Sequence, residues 1–153
     1  LRAVHLEPYR RALAQVDSVM MSHLRVAAID PDLPASVSPA VVGFLRTQLA
    51  DPATGRPYDG VVLTDDLSMQ AVAAVADQPT AVVMALSAGV DLALVGSPDA
   101  AEAAHARVLE ALARGEVSRN RLRQAAERVL LLKGVQPTQV TCLVGATHYA
   151  RPR

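Results

Sequence analysis

Three short aliphatic runs, at residues 16–22, 61–64 and 91–95, are separated by stretches long enough to hold at least one helix each. That spacing constrains the fold more than any other feature of the chain. Antiparallel neighbours can be joined by a two-residue turn, whereas parallel neighbours need a crossover of a dozen or more residues, usually helical. Helix signals fill the intervals here. Ser38-Pro39 and Ser97-Pro98 each set an N-cap serine before a proline at the first helical position. The element order reads α-β-α-β-α-β-α. It predicts an α/β fold of three parallel βα units with right-handed crossovers.

The middle run says most about function. Val61, Val62 and Leu63 are consecutive aliphatics, the pattern of a strand covered on both faces. Thr64 closes the run, and the carboxylates Asp65 and Asp66 follow at once. In a parallel α/β fold the strand C-termini share one face, and chemistry is placed there. Successive strand side chains point to opposite faces. Asp65 and Asp66 therefore cannot act as one acid–base pair. One faces the site and the other caps the helix that starts at Leu67. Asp65, nearer the strand, is the better catalytic candidate. The plain alternative is that both acids cap that helix and soften a loop.

His23 ends the first run and reaches the same face, as do the Gly96-Ser97 turn and the loop carrying Asp30 and Asp32. Asp65, His23 and that loop are expected to line one concavity. Asp91 stands at the opposite end of its strand, where a structural role is expected.

Helices are expected over residues 6–14, from Pro39 to about residue 49, over 67–76, from Pro79 to just before Gly89, over 98–114 with Gly115 as the stop, and from Ser118 to Lys133-Gly134. Residues 51–59 form a turn-rich loop. The chain thus divides into a domain at 1–134 and a tail at 135–153, with a possible stray strand at 140–144.

The fifteen basic and fifteen acidic side chains cancel, so no basic excess points to nucleic acid. The single cysteine, Cys142, allows neither a disulfide framework nor a metal cluster. No Gly-x-Gly-x-x-Gly run marks a dinucleotide site, and no cofactor or metal is expected. No apolar run approaches the roughly 18 residues of a membrane span. The first residue is Leu1 rather than Met. The expectation is that an N-terminal part is missing, which leaves the compartment, cytoplasm or cell envelope, open.

Four segments carry a family resemblance: VDSVMMSHL, DPDLPASVSPAVVGFLRTQL, DGVVLTDDLSMQAV and AGVDLALVGSPDAA. The chain resembles the family 3 glycoside hydrolases over residues 6–134, in particular the bacterial β-N-acetylhexosaminidases of cell-wall recycling. That family's fold is a (β/α)8 barrel, which needs about 250 residues. The resemblance implies that this chain supplies its last three βα units, the sixth to eighth strands. It also implies that Asp65 is the nucleophile in retaining hydrolysis of terminal β-linked N-acetylglucosamine. The implied partner is a cell-wall carbohydrate. His23 and Asp66 are the candidate sugar-binding residues beside Asp65.

The family's acid/base, a His–Asp pair on the loop after the fifth strand, has no counterpart here. Its Lys-His sugar-binding motif is absent too, and the loop at 51–59 is longer than the family's. An inactive, non-catalytic fragment is therefore expected when the chain stands alone. Its open sheet edges favour self-association. A different class is a small Mg-binding, receiver-like α/β domain with acids at strand ends. Such domains need a lysine at a later strand end, and the third strand here ends Val95-Gly96-Ser97.

Overall fold

The computed structural model describes residues 5–13, 15–49 and 54–139. The elements are α1 (Glu7–Leu13), β1 (Ser18–Met21), α2 (Pro39–Gln48), β2 (Val61–Asp66), α3 (Gln70–Ala73), α4 (Gln78–Ala88), β3 (Leu92–Leu94), α5 (Pro98–Arg114) and α6 (Arg119–Leu132). A 3-10 turn at Ala35–Val37 lies between β1 and α2, and another follows α6 at Pro137–Gln139. The three strands form one parallel sheet in the order β1-β2-β3. The expected architecture is therefore present, with the strands side by side in chain order.

Helix starts follow from local chemistry. Ser38 accepts a hydrogen bond from the Val41 amide, Asp77 from Thr80, Ser97 from Ala100 and Ser118 from Arg121, each satisfying an otherwise orphaned N–H. Gly115 ends α5 in the left-handed region (φ 74°), where a side chain would be strained.

The core fills the space between one face of the sheet and helices α2 and α4. Val42, Val62, Leu67, Val72, Ala81, Ala85 and Val90 are buried there almost completely. Val19 and Met21 point into it from β1, as does Ala93 from β3. The alternate residues, Met20, Leu92 and Leu94, lie on the other face and are 54%, 44% and 43% exposed. That face is thus open around Met20, Leu92 and Leu94, while Val61 at its N-terminal end is buried.

Two expectations are corrected. β2 runs through both Asp65 and Asp66, rather than ending at Thr64. The helix expected over 67–76 shrinks to the single turn α3. The cause is β3: the Leu67 amide donates to the Leu94 carbonyl at 3.1 Å, so the backbone there stays in the sheet's hydrogen-bonding pattern. Asp66 consequently does not cap a helix at Leu67. Cys142 and the strand suggested at 140–144 lie outside the described residues.

Asp91 fills the structural role expected of it. Its side chain has no exposed surface, and its carboxylate meets Arg46 at 2.6 Å, Arg121 at 2.5 Å and Arg128 at 3.3 Å. Its Oδ2 also accepts the Val62 amide at 3.0 Å. One carboxylate thus ties α2 and α6 to the N-terminal ends of β2 and β3.

Candidate active site

The site is built at the C-terminal end of β2. Regular pairing with β1 sets Met20 beside Leu63 and Met21 beside Thr64. Asp65 is the next residue of β2 beyond that regular pairing. Asp65 is half-buried, and its Oδ1 accepts the Asp66 amide at 2.8 Å. Among the described residues its other oxygen has no hydrogen-bond partner.

The pairing of β2 with β3 is irregular at the same place. Leu63 lies beside Leu92, but Leu94 lies beside Asp66. Two residues of β2 therefore face one of β3, a bulge that re-aims side chains beside a strand end. The Thr64 hydroxyl, fully buried, accepts the Leu94 amide at 3.0 Å and fills the gap in the ladder.

Asp66 turns into the following turn. Its Oδ1 accepts the Ser68 amide at 2.8 Å. The Ser68 amide and then the Ser68 hydroxyl hold its carboxyl below the usual range. Gly96 makes room for this carboxylate, since a Cβ there would meet Asp66 Oδ2 at 3.1 Å.

His23 lies two residues beyond β1 and is buried. Its Nε2 is 2.9 Å from the Asp66 carbonyl oxygen, and its Nδ1 is 2.7 Å from the Ser36 hydroxyl. The structure therefore joins His23 to the β2 end, as its position suggested, but engages both ring nitrogens with the protein. Ser36 did not stand out in the sequence. It is a serine in an irregular loop, and only its complete burial marks it.

Asp30 and Asp32 take different roles. Asp30 Oδ1 accepts the amides of Asp32 and Leu33, each at 3.0 Å, and Oδ2 accepts the Ser38 hydroxyl at 2.5 Å. The Ser38 hydroxyl, followed by the two amides, holds its carboxyl below the usual range. Asp30 thus braces its own loop against the start of α2, while Asp32 is exposed. A cleft of about 470 Å³ at the opposite pole is lined by Asp17, Tyr58, Gly60 and Arg128. Another of about 450 Å³ opens along β1 between Tyr9 and Phe44. Neither includes Asp65, His23, Asp30 or Asp32, so these clefts are not the shared concavity expected from the sequence. Among the described residues no group of three His, Cys, Asp or Glu is placed to hold a metal ion.

A three-stranded parallel sheet joined by helical crossovers, with a carboxylate near the C-terminal end of its middle strand, defines a parallel α/β unit. The chain belongs to glycosyl hydrolase family 3: the family described as "Glycosyl hydrolase family 3 N terminal domain" matches residues 1–132. It is 37% identical over 136 residues to the β-hexosaminidase LpqI of Mycobacterium tuberculosis, covering 86% of this chain and 34% of that protein. The solved structure of M. tuberculosis LpqI superposes with a TM-score of 0.76 at 35% identity, over 86% of this chain and 38% of that one. The family 3 β-N-acetylglucosaminidase of Paenibacillus sp. str. FPU-7 gives a TM-score of 0.74 at 36% identity, over 83% and 24%. The chain thus spans about a third of the length of the first of these relatives.

Proposed function

We propose that this chain carries the nucleophile-bearing part of a family 3 β-N-acetylhexosaminidase. Asp65 attacks the anomeric carbon of a terminal β-linked N-acetylglucosamine as the aglycone leaves. The resulting glycosyl-enzyme ester is then cleaved by water, with retention. The observation that carries this reading is the placement of Asp65. One oxygen is held by the next amide and the other is unengaged among the described residues, at the C-terminal end of the middle strand. A nucleophile must be ionised and rigidly held close to the sugar, and a strand end inside a sheet supplies that positioning.

The second half of the chemistry is not supplied by the carboxylates beside Asp65 among the described residues. Protonating the departing oxygen needs a group that holds its proton near neutral pH, a contribution of typically about 10²–10⁴-fold. Asp66 and Asp30 are both held below the usual carboxylate range by donors that favour the charged form. Both stay ionised and unsuited to that step. On this reading the general acid is neither Asp66 nor Asp30, and the chain alone is expected to be inactive.

The test grafts residues 1–132 in place of the matching segment of the M. tuberculosis β-hexosaminidase. Release of p-nitrophenol from the β-N-acetylglucosaminide is followed. The joined enzyme should turn over, Asp65→Asn should abolish turnover, and Asp66→Asn should spare most of it. A 5-fluoro glycosyl fluoride should label Asp65 covalently, read by peptide mass spectrometry. Turnover that survives Asp65→Asn, or label on another residue, removes Asp65 from the role.

A further inference from the structure

The end of β2 is held from both sides by different means. On the β3 side the hold is backbone to backbone, from the Leu67 amide to the Leu94 carbonyl at 3.1 Å. On the β1 side the ladder stops at Met21, opposite Thr64. Two residues beyond that last pair lie His23, past the end of β1, and Asp66, the last residue of β2. There the imidazole replaces the missing backbone partner, with Nε2 2.9 Å from the Asp66 carbonyl oxygen.

We infer that His23 is a positioning residue for Asp65, locked by Ser36 in the Nε2–H tautomer. This rests on the reading of Asp65 as nucleophile. A carbonyl oxygen can only accept, so Nε2 must carry the hydrogen. In the neutral ring Nδ1 is then an acceptor, and the Ser36 hydroxyl 2.7 Å away must donate to it. Ser36 is fully buried, and its 3-10 turn is tied to the segment after β1 by the Ala35 amide, which donates to the Leu24 carbonyl at 2.9 Å. The donor therefore has a fixed origin, and the ring cannot flip without losing both bonds.

The Asp66 carbonyl accepts twice, from His23 and from the Met69 amide at 3.1 Å. The Asp66 amide donates to Asp65 Oδ1, and the Asp66 carboxylate accepts the Ser68 amide. Asp66 is thus held through its carbonyl and its side chain, which fixes where its amide points. Asp65 takes its carboxylate orientation from that pinned amide. The chain of contact runs from Ser36 through His23 to the Asp66 backbone and on to the Asp65 carboxylate. His23 acts on the nucleophile through one residue of backbone, not by touching the sugar with a ring nitrogen.

The test has two arms. In the 153-residue chain, nitrogen-15 labelling of the imidazoles reads the tautomer, with the His23 signals assigned by their loss in His23→Gln. At a pH high enough to leave imidazoles unprotonated, the expected result is a single tautomer, pyrrole-like at Nε2 and pyridine-like at Nδ1, that becomes a tautomer average in Ser36→Ala. An Nδ1–H form, or averaging already in the parent, overturns the inference.

In the joined enzyme described above, His23→Leu should lower kcat by up to about 100-fold, the scale of a 1 Å misplacement, with KM little changed. His23→Gln, whose side-chain amide can donate to the same carbonyl, should recover most of it. Ser118→Ala removes the cap of α6, away from this end of the sheet, and should lower the unfolding midpoint while leaving kcat in place. Unchanged kcat in His23→Leu, or a rise in KM alone, overturns the positioning role, and the latter returns His23 to sugar binding. If the joined enzyme is inactive even with His23 intact, the proposed function fails. The tautomer arm still decides the clamp.

Discussion

Asp91 Oδ2 and Arg46 Nη2 lie 2.6 Å apart, where the Asp91 side chain is wholly buried and that of Arg46 is 15% exposed. The same guanidinium donates to the carbonyls of Tyr58, Gly60 and Gly89 at 3.1 Å each. This pair closes the N-terminal pole of the sheet. Asp91→Ala should leave Arg46 and Arg121 without their buried counter-charge. Breaking such a pair from one side costs about 3–5 kcal/mol, a large part of the ~5–15 kcal/mol of a typical domain. Urea unfolding should show a variant largely unfolded in water. A fall under about 1 kcal/mol, the scale of an exposed pair, would mean that the cluster is not closed in solution.

Two glycines separate backbone need from backbone liability. A Cβ on Gly60 would collide with the Tyr58 hydroxyl oxygen and stand 2.7 Å from the Asp17 carbonyl, just before β2. Gly60→Ala should destabilise by at least ~1–3 kcal/mol, the usual range for overpacking. Gly43 lies inside α2 with nothing within 4 Å of such a Cβ. Gly43→Ala should stabilise by about 0.5–1 kcal/mol through helix propensity. Thermal midpoints moving in opposite directions would bear this out, and a destabilised Gly43→Ala would not.

Acid should loosen the chain through particular carboxylates. Hydrogen bonds from Ser38 hold Asp30 below the usual value of 3.8, those from Ser68 do so for Asp66, and those from Thr80 for Asp77. A folded-state value below the unfolded one adds stability above the unfolded value, and that stability is lost as pH falls through the folded value. These three groups should therefore contribute a constant amount from pH 7 to about 5 and a falling one below about 4. Asp30→Asn should flatten the decline in urea midpoint between about pH 4 and 3. An unchanged slope would take Asp30 out of the acid response.

The open sheet face should make the isolated chain associate. Met20, Leu92 and Leu94 are exposed on it, β1 and β3 each have an unpaired edge within the sheet, and the formal net charge is zero. Exposed strand edges and apolar patches favour association, and no net repulsion opposes it. Sedimentation at micromolar concentration should show dimers or larger species, reduced in a Met20→Lys, Leu94→Lys double variant. A compact monomer throughout would count against it.

The sequence by itself determined the parallel order of the sheet, the helix caps and the structural place of Asp91. These depend on local or short-period signals: aliphatic runs, a serine before a proline, an acid at the start of a strand rather than its end. It also marked Asp65 and His23 for the same end of the sheet, because parallel strands put all their C-termini together. The contacts that hold that end were decided by tertiary structure. Ser36 meets His23 across thirteen positions, and Asp66 meets it across forty-three. The bulge that sets Leu94 beside Asp66 arises only when β3 is docked, and it keeps Leu67 in the sheet where its sequence reads as helix. Propensity is a matter of tenths of a kcal/mol per residue. A buried amide left without a partner costs about 1–3 kcal/mol, so the docked strand wins.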